Sequence, residues 1–275
     1  MTPDAAARFA ASFRLTLLTA DPARAAEAEA AGIDRIGIDI ERNGKVDRQA
    51  GHDTRISDHD FDDLARIRAA VGRADVFIRI NPPHAATAEE VERALDLGAT
   101  VIMLPYFHDE AEVAAFAAAV RGRAHAMLLL ETPRALVRLR EILAVPGIDE
   151  VMVGLNDLRL EMRLDGMEFV GSVVMETIAQ AVRGAGLAFS FGGLGRYDQT
   201  GLPVAPDLLY AQYPRLGAGG AWLARSFFRD PPPNWTLADG VAALRGRLAH
   251  WASCDPPALE AARGALVAAR RDHRR

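Results

Sequence analysis

The chain has 275 residues, of which half are apolar and a quarter are charged, as in ordinary globular proteins. Its formal net charge of −5 predicts no basic surface for nucleic acid or for an anionic membrane. Cys254 is the only cysteine, which excludes an intramolecular disulfide and argues against a Cys-based zinc site. The sequence contains neither the continuous apolar core of a secretory signal nor a run of about 18 apolar residues, so we expect a soluble cytoplasmic protein.

Eight short apolar runs alternate with Ala-rich amphipathic segments up to about residue 225. Each run is nearly continuously apolar and is bounded by Gly, Pro, Asp or Asn, which is typical of a strand buried on both faces. The predicted strands are Arg14–Thr19, Arg35–Ile40, Val76–Ile80, Thr100–Pro105, Ala126–Glu131, Glu150–Leu155, Ala188–Gly193 and Gly220–Arg225.

Helix start signals lie between these runs. Asp21 followed by Pro22 predicts an N-cap with Pro at the first helical position, and Thr132 opens another helix in the same way. Thr87 and Glu90 have the spacing of a capping box.

Strands that alternate with helices predict a parallel sheet, and eight strands are the number that closes a (β/α)8 TIM barrel. An open doubly wound sheet is the alternative, although no G-x-G-x-x-G follows the first strand. We expect the barrel to occupy residues 1–229. Residues 230–275 carry two further helical segments, Leu237–Trp251 and Pro257–Arg271, which form either a packing appendage or an oligomerisation arm.

Two carboxylates follow neighbouring strands directly. Glu131 ends the fifth predicted strand and Asp157 follows the sixth. In a barrel these positions share one mouth, so both side chains can bind the same divalent cation, Mg²⁺ or Mn²⁺. The alternative is that each acid merely complements the dipole of the helix that it precedes.

Arg79 interrupts the third strand with a permanent positive charge, and a buried arginine needs an anionic partner. Asp39 and Glu41, two residues apart at the end of the second strand, are candidate substrate-binding residues that can hold metal-bound waters or orient a base. The alternative is that they supply the ion-pair partner of Arg79. A planar guanidinium can also bind a substrate carboxylate or enolate oxygen. The two roles are compatible.

The chain resembles the HpcH/HpaI aldolase/citrate lyase family from about Arg14 to Arg229. The similarity lies in AGIDRIGIDIE, FIRINPP, LDLGATVIMLPYFHDEAEV and LLLETPRALVRLREILAVPGIDEVMVGLNDL. It implies a TIM barrel, a divalent metal bound by Glu131 and Asp157, and a 2-oxo acid held near Arg79 and Asn156. It also implies that the chain forms a homo-oligomer and that its substrates are small 2-oxo or hydroxy acids.

One position departs from the family pattern. Aldolases of this family usually carry a histidine directly after the D-x-E acids, where this chain has Arg42, and arginine does not act as a base at neutral pH. A long polar loop follows and contains His52 and His59. Either histidine is a candidate acid/base, and a metal-bound water is the other candidate. The alternatives are a solvated loop residue for His52 and a helix N-terminus for His59.

The glycine-rich SFGGLGR follows the seventh strand, where such barrels often bind phosphate. Arg196 and Arg225 are therefore weak candidates for contacting a distal anionic group of the substrate.

These features predict metal-dependent cleavage or formation of a 4-hydroxy-2-oxo acid through a pyruvate-like enolate. Lys45, the only lysine, lies in a polar loop, which makes a Schiff-base aldolase improbable. Two alternatives stay open: a lyase of the citrate or malyl-CoA type that acts on acyl-CoA thioesters, and a non-catalytic barrel that binds a 2-oxo acid or phosphoenolpyruvate.

Overall fold

The computed structural model describes residues 1–43, 57–164, 166–202 and 204–271. All eight predicted strands are confirmed, and each ends one to three residues earlier than predicted because the chain turns into the following loop. The strands are β1 Arg14–Leu18, β2 Arg35–Asp39, β3 Asp75–Arg79, β4 Val101–Leu104, β5 His125–Leu130, β6 Glu150–Val153, β7 Ala188–Phe191 and β8 Gly220–Trp222.

The strands are parallel, and each pairs with its neighbour in the chain from β1 to β7. β8 pairs with β1. Backbone bonds from Gly219 N to Phe189 O (2.8 Å) and from Leu194 N to Trp222 O (2.7 Å) connect β7 to β8. The ring is therefore a (β/α)8 barrel, as predicted, and the doubly wound alternative was wrong.

Helices surround the barrel. The predicted start signals at Asp21 and Thr132 are confirmed, because their side chains cap the helices Pro22–Ala30 and Pro133–Val137. A 3₁₀ turn at Arg225–Phe228 follows β8. The helices are α1 Pro3–Ser12, α2 Pro22–Ala30, α3 Phe61–Ala70, α4 Thr87–Asp96, α5 Glu110–Val120, α6 Pro133–Val137, α7 Leu139–Leu143, α8 Leu155–Glu161, α9 Gly166–Val170, α10 Val173–Gly184, α11 Asp207–Leu216, α12 Leu237–Ser253 and α13 Pro256–Arg271.

The predicted capping box of α4 was wrong. The Thr87 hydroxyl accepts from His84 N at 2.9 Å instead of capping the helix. The Glu90 carboxylate accepts from both the backbone N (3.1 Å) and Nδ2 (2.7 Å) of Asn81. Both side chains find partners in the loop before the helix, and these compete with the local capping pattern.

The barrel interior is a separate apolar layer. Its buried side chains come from β3 to β6 and are Phe77, Val101, Met103, Met127, Leu129 and Met152. Leu18 and Trp222 pack against this layer. A larger hydrophobic core lies between the strands and the helices. The strands are therefore buried on both faces, which is why they read as continuous apolar runs.

A buried ion pair closes the end of the barrel at which the strands begin. Arg35 on β2 reaches Glu150 on β6 at 2.8 Å, and Glu150 also bonds to His125 (3.0 Å) and accepts from Ser190 (2.6 Å). Burial raises the pKa of Glu150, but the contacts with His125, Arg35 and Ser190 outweigh burial and lower the pKa from 4.5 to about 2.

The two predicted C-terminal helices are confirmed as α12 and α13. α12 packs against α1 and α11, and α13 packs against α11 and α9. Arg245 on α12 donates to the carbonyl oxygens of Ala10 and Phe13 and to Asp34. The division at residue 229 and the oligomerisation role stay predictions.

No helix within the described ranges is long and apolar enough to cross a lipid bilayer.

We expect Glu150 to make folding acid-sensitive. Its folded-state pKa lies below the ordinary value, so its stabilisation is complete above about pH 4.5 and is lost as the pH falls towards 2. The shift corresponds to about 3 kcal/mol of unfolding free energy. Urea unfolding at pH 5.5 and at pH 3 should therefore show a steeper acid loss in the wild type than in Glu150→Gln.

The control is the double variant Glu150→Gln/Arg35→Met. The single variant leaves Arg35 buried without its carboxylate and should lose about 3–5 kcal/mol at neutral pH. The double variant removes both charges and should recover most of that loss. An identical acid profile in the wild type and both variants would contradict this assignment.

Candidate active site

A cavity of about 740 Å³ opens at the carboxyl ends of the strands. This volume lies within the range of small-molecule sites. Five carboxylates face two guanidinium groups among the described lining residues, so the cavity favours a bound cation. The charged and polar lining residues include Thr19, Asp21, Asp39, Ser57, Asp58, His59, Arg79, Glu131, Asn156, Asp157 and Arg225.

Arg79 is held by two carboxylates at the floor of this cavity. Its Nε and Nη2 donate to the two oxygens of Asp39 at 2.9 and 2.6 Å, and Nη1 lies 3.2 Å from Glu41 Oε2. Burial lowers the pKa of Arg79, but the charges of Asp39 and Glu41 outweigh it and raise the pKa above its usual value. Asp39 lines the cavity, whereas Glu41 is fully buried and is not among the described lining residues.

Trp222, which sequence reasoning missed, covers the other side of Arg79. The guanidinium carbon lies 4.9 Å from the centre of its ring, and Phe77 packs edge-on against the same ring. The buried indole Nε1 has no hydrogen-bond partner among the residues described. A ligand oxygen or a water that entered here would satisfy this donor. β8 reads as a continuous run of small and apolar residues, so no local signal would have placed Trp222 inside.

Glu131 and Asp157 both lie in the cavity wall and are 3% and 7% exposed. Glu131 Oε1 accepts from Tyr106 N at 3.0 Å. Its Oε2 lies only 2.6 Å from the position that a Cβ on residue 154 would take, which is too close for any residue with a side chain. Asp157 follows Gly154 in the first turn of α8. The absence of a side chain at residue 154 thus lets one carboxylate lie against the backbone that leads to the other.

The donor set fits a hard divalent cation that keeps part of its water shell. Within the described part of the chain, no group of three or more His, Cys, Asp or Glu residues is arranged to hold a metal. Two carboxylates fall short of a cage for Ca²⁺ or Zn²⁺, but Mg²⁺ is commonly bound through one or two carboxylates, water and substrate oxygens. Burying two acids in one wall also favours a nearby cation.

His59 lies in the cavity wall, and Arg42 helps to place it there. Arg42 Nη2 donates to the carbonyl oxygens of Asp58 and His59, at 2.9 Å each. His59 Nδ1 accepts from Asp39 N at 3.1 Å, and the Ser57 hydroxyl reaches Asp39 Oδ2 at 3.3 Å. Arg42 thus anchors the segment that brings His59 next to Asp39. His52 lies outside the described residues.

The remaining predicted residues take different places. Asn156 lines the cavity, and its Oδ1 accepts from Arg159 at 2.9 Å. Arg225 also lines it. Arg196 donates to the carbonyl oxygens of residues 229 and 230 and is not among the described lining residues. Its contacts organise the 3₁₀ turn after β8.

Comparison with known families now identifies the chain. The model of the family described as HpcH/HpaI aldolase/citrate lyase matches residues 13–192. The chain belongs to this family. The match covers most of the barrel and includes β1 to β7. No sequence among functionally curated proteins matches the chain.

Solved structures of the HpcH/HpaI family share the fold. A family protein from Burkholderia cenocepacia J2315 is 18% identical, with a TM-score of 0.61 over 81% of this chain and 92% of that one. The citrate lyase beta subunit from M. tuberculosis, solved with oxaloacetate and magnesium, is 21% identical, with a TM-score of 0.57 over 88% and 99%. CitE from Mycobacterium tuberculosis, solved with magnesium and pyruvate, is 19% identical, with a TM-score of 0.58 over 94% and 99%. Identities this low establish the fold alone.

We expect Gly154→Ala to displace the Glu131 side chain, because the added Cβ would lie 2.6 Å from Glu131 Oε2. Overpacking of this kind costs about 1–3 kcal/mol of unfolding free energy. Gly192→Ala is the matched control, since its nearest neighbouring atom lies at 3.9 Å. Urea denaturation and a crystal structure of each variant would measure the effect. If Gly154→Ala is as stable as the wild type and Glu131 does not move, the expectation is contradicted, because the cavity wall then accommodates the added methyl group at no cost.

Proposed function

We propose that the protein is a divalent-metal-dependent lyase that cleaves or forms a carbon–carbon bond in a 4-hydroxy-2-oxo acid. The observation that carries this proposal is the convergence of Glu131, Asp157 and Arg79 on one cavity. In the cleavage direction, a base takes the proton of the 4-hydroxyl group and the C3–C4 bond breaks. Its electron pair forms a pyruvate-like enolate, C4 leaves as an aldehyde, and the enolate is then protonated at C3.

Glu131 and Asp157 are the residues proposed to hold the cation, with Mg²⁺ or Mn²⁺ as the candidates. When bound, the cation supplies Lewis-acid stabilisation for the oxygens of the 2-oxo acid. Relatives of the same fold that were solved with magnesium and oxaloacetate or pyruvate support this proposal. The acidic excess among the lining residues supports it independently.

Arg79 is proposed to stabilise the negative charge that develops on the enolate oxygen. Its contacts with Asp39 and Glu41 use three of its five N–H groups and leave two for a ligand. The same contacts keep the guanidinium charged and fixed in place. A donor that is already oriented does not have to reorganise when charge appears, and this is the main source of such stabilisation.

His59 is proposed to donate a hydrogen bond to the substrate. Because Nδ1 accepts from Asp39 N, the neutral ring carries its proton on Nε2. In this tautomer the ring is a hydrogen-bond donor, so we assign it the role of stabilising a substrate oxygen during cleavage. His59 does not fit the role of base while this contact is kept, because the nitrogen that could take a proton already accepts the hydrogen bond from Asp39 N.

A lyase that acts on an acyl-CoA thioester is the runner-up. The D-x-E acids without a following histidine favour it, as does the fold shared with the citrate lyase beta subunit. The acidic excess of the described lining counts against the phosphates of CoA. A non-catalytic 2-oxo acid-binding barrel is the third reading.

The first test is exchange of the pyruvate methyl protons in D₂O, followed by NMR with Mg²⁺ or Mn²⁺ present. We expect exchange above the metal-only blank, and loss of that exchange on chelation and in Glu131→Gln and Asp157→Asn. Glu260→Gln is the matched control, because Glu260 is an exposed carboxylate on α13 that pairs with Arg263. It should behave as the wild type.

Pyruvate binding without exchange would contradict aldol chemistry with pyruvate. A panel of 4-hydroxy-2-oxo acids and acyl-CoA thioesters then separates the remaining readings. Release of an oxo acid or of acetyl-CoA from a thioester would identify the runner-up. No turnover of any panel member would leave the binding barrel.

We expect His59→Asn to lower the cleavage rate by about 100-fold, since loss of one preorganised hydrogen-bond donor costs about 10²–10³. The Asn side chain keeps an acceptor for Asp39 N, so pyruvate binding, followed by tryptophan fluorescence, should change little. His250→Asn on α12 is the control for loss of a histidine elsewhere. Wild-type cleavage in His59→Asn would remove His59 from the mechanism.

A further inference from the structure

Tyr106 has an unusual backbone for a bulky residue. It follows β4 and Pro105 with φ at +50°, in the left-handed region that side chains other than glycine rarely adopt. Such strain persists only where surrounding contacts impose it, and it concentrates at functional sites. The strained residue lies directly beside the proposed cation site.

The left-handed backbone directs an amide at the first proposed cation ligand. Tyr106 N donates to Glu131 Oε1 at 3.0 Å, while Gly154 leaves the space that Oε2 occupies. The Tyr106 amide therefore orients the carboxylate through Oε1, and Oε2 lies in the space beside Gly154. Tyr106 itself is not among the described residues that line the cavity. Its influence on a ligand must pass through other residues.

The side chain of Tyr106 reaches the second proposed ligand's helix. Its hydroxyl hydrogen-bonds the carboxylate of Glu161, the last residue of α8. Asp157 lies in the first turn of the same helix, four residues earlier and hence on the same face. One residue thus contacts Glu131 through its backbone and the helix of Asp157 through its side chain.

We propose that Tyr106 is a positioning residue that sets the spacing between Glu131 and Asp157 and thereby selects a small, octahedral cation. This inference rests on the cation site of the proposed function. Mg²⁺ and Mn²⁺ require tighter geometry than Ca²⁺, and selectivity between such ions depends on the rigidity of the ligands. Residues that orient metal ligands typically change metal affinity by about 10–100-fold.

The test is Mn²⁺ binding followed by electron paramagnetic resonance, with Mg²⁺ and Ca²⁺ as competitors. Tyr106→Phe removes only the hydroxyl that binds Glu161. We expect at least about 10-fold weaker Mn²⁺ binding and a smaller preference for Mg²⁺ over Ca²⁺. Tyr197→Phe is the matched control, because Tyr197 is a half-exposed tyrosine that is not among the described lining residues.

Two further variants separate positioning from folding. Tyr106→Gly relieves the backbone strain, so its denaturation midpoint should hold or rise while Mn²⁺ affinity falls. Glu161→Gln combined with Tyr106→Phe should weaken Mn²⁺ binding no more than Tyr106→Phe alone, since the pair acts as one unit. A merely structural tyrosine would lower stability and leave the ratio of Mg²⁺ to Ca²⁺ affinity unchanged.

The outcomes distinguish a failure of the positioning role of Tyr106 from a failure of the cation site itself. If the wild type binds Mn²⁺, Glu131→Gln abolishes binding, and Tyr106→Phe keeps wild-type affinity and selectivity, the positioning role is overturned and the proposed function stands. If the wild type does not bind Mn²⁺, or Glu131→Gln leaves binding unchanged, the cation site fails and the positioning role fails with it.

Discussion

The buried charge of Arg79 determines the arrangement of the barrel mouth. A guanidinium that stays protonated and is only 7% exposed needs carboxylates within reach, and Asp39 and Glu41 supply them. Asp39 is also the register partner of Arg79 between β2 and β3. Its backbone N–H in turn engages His59. The ion pair between Arg79 and Asp39 thus joins β2 to β3 and fixes the guanidinium group at the floor of the cavity. Through the backbone of Asp39, it also places His59 in the cavity wall.

The barrel contains charge at both ends and an apolar layer between them. At the lower end, Glu150 pairs with Arg35, contacts His125 and accepts from Ser190, and these residues are not among the described lining of the cavity, so this network is structural. At the upper end, the strands lead into loops that surround a cavity, and Arg79 faces it. Similar ion pairs therefore serve different purposes, because the upper one lines the described cavity that a ligand can enter.

Part of the site could be predicted because each residue follows its own strand. Glu131 and Asp157 could be paired from the order of the strands alone, since adjacent parallel strands end at the same edge. Tyr106 and Gly154 could not, because their role depends on a left-handed backbone and on space for another residue's side chain. The capping box at Thr87 failed because nearby loop groups offered better partners.

The sequence by itself determined the fold, the number of strands and the type of chemistry that the mouth can support. Hydrophobic runs and turn residues are local signals, and eight of them in alternation with helices leave few topologies. The sequence also predicted Asp39 and Glu41 as partners of the buried Arg79. Only the tertiary structure decided that both acids hold it at once, and that Arg42 holds the segment carrying His59. Those choices depend on contacts between residues 16 to 40 positions apart, which no local pattern specifies.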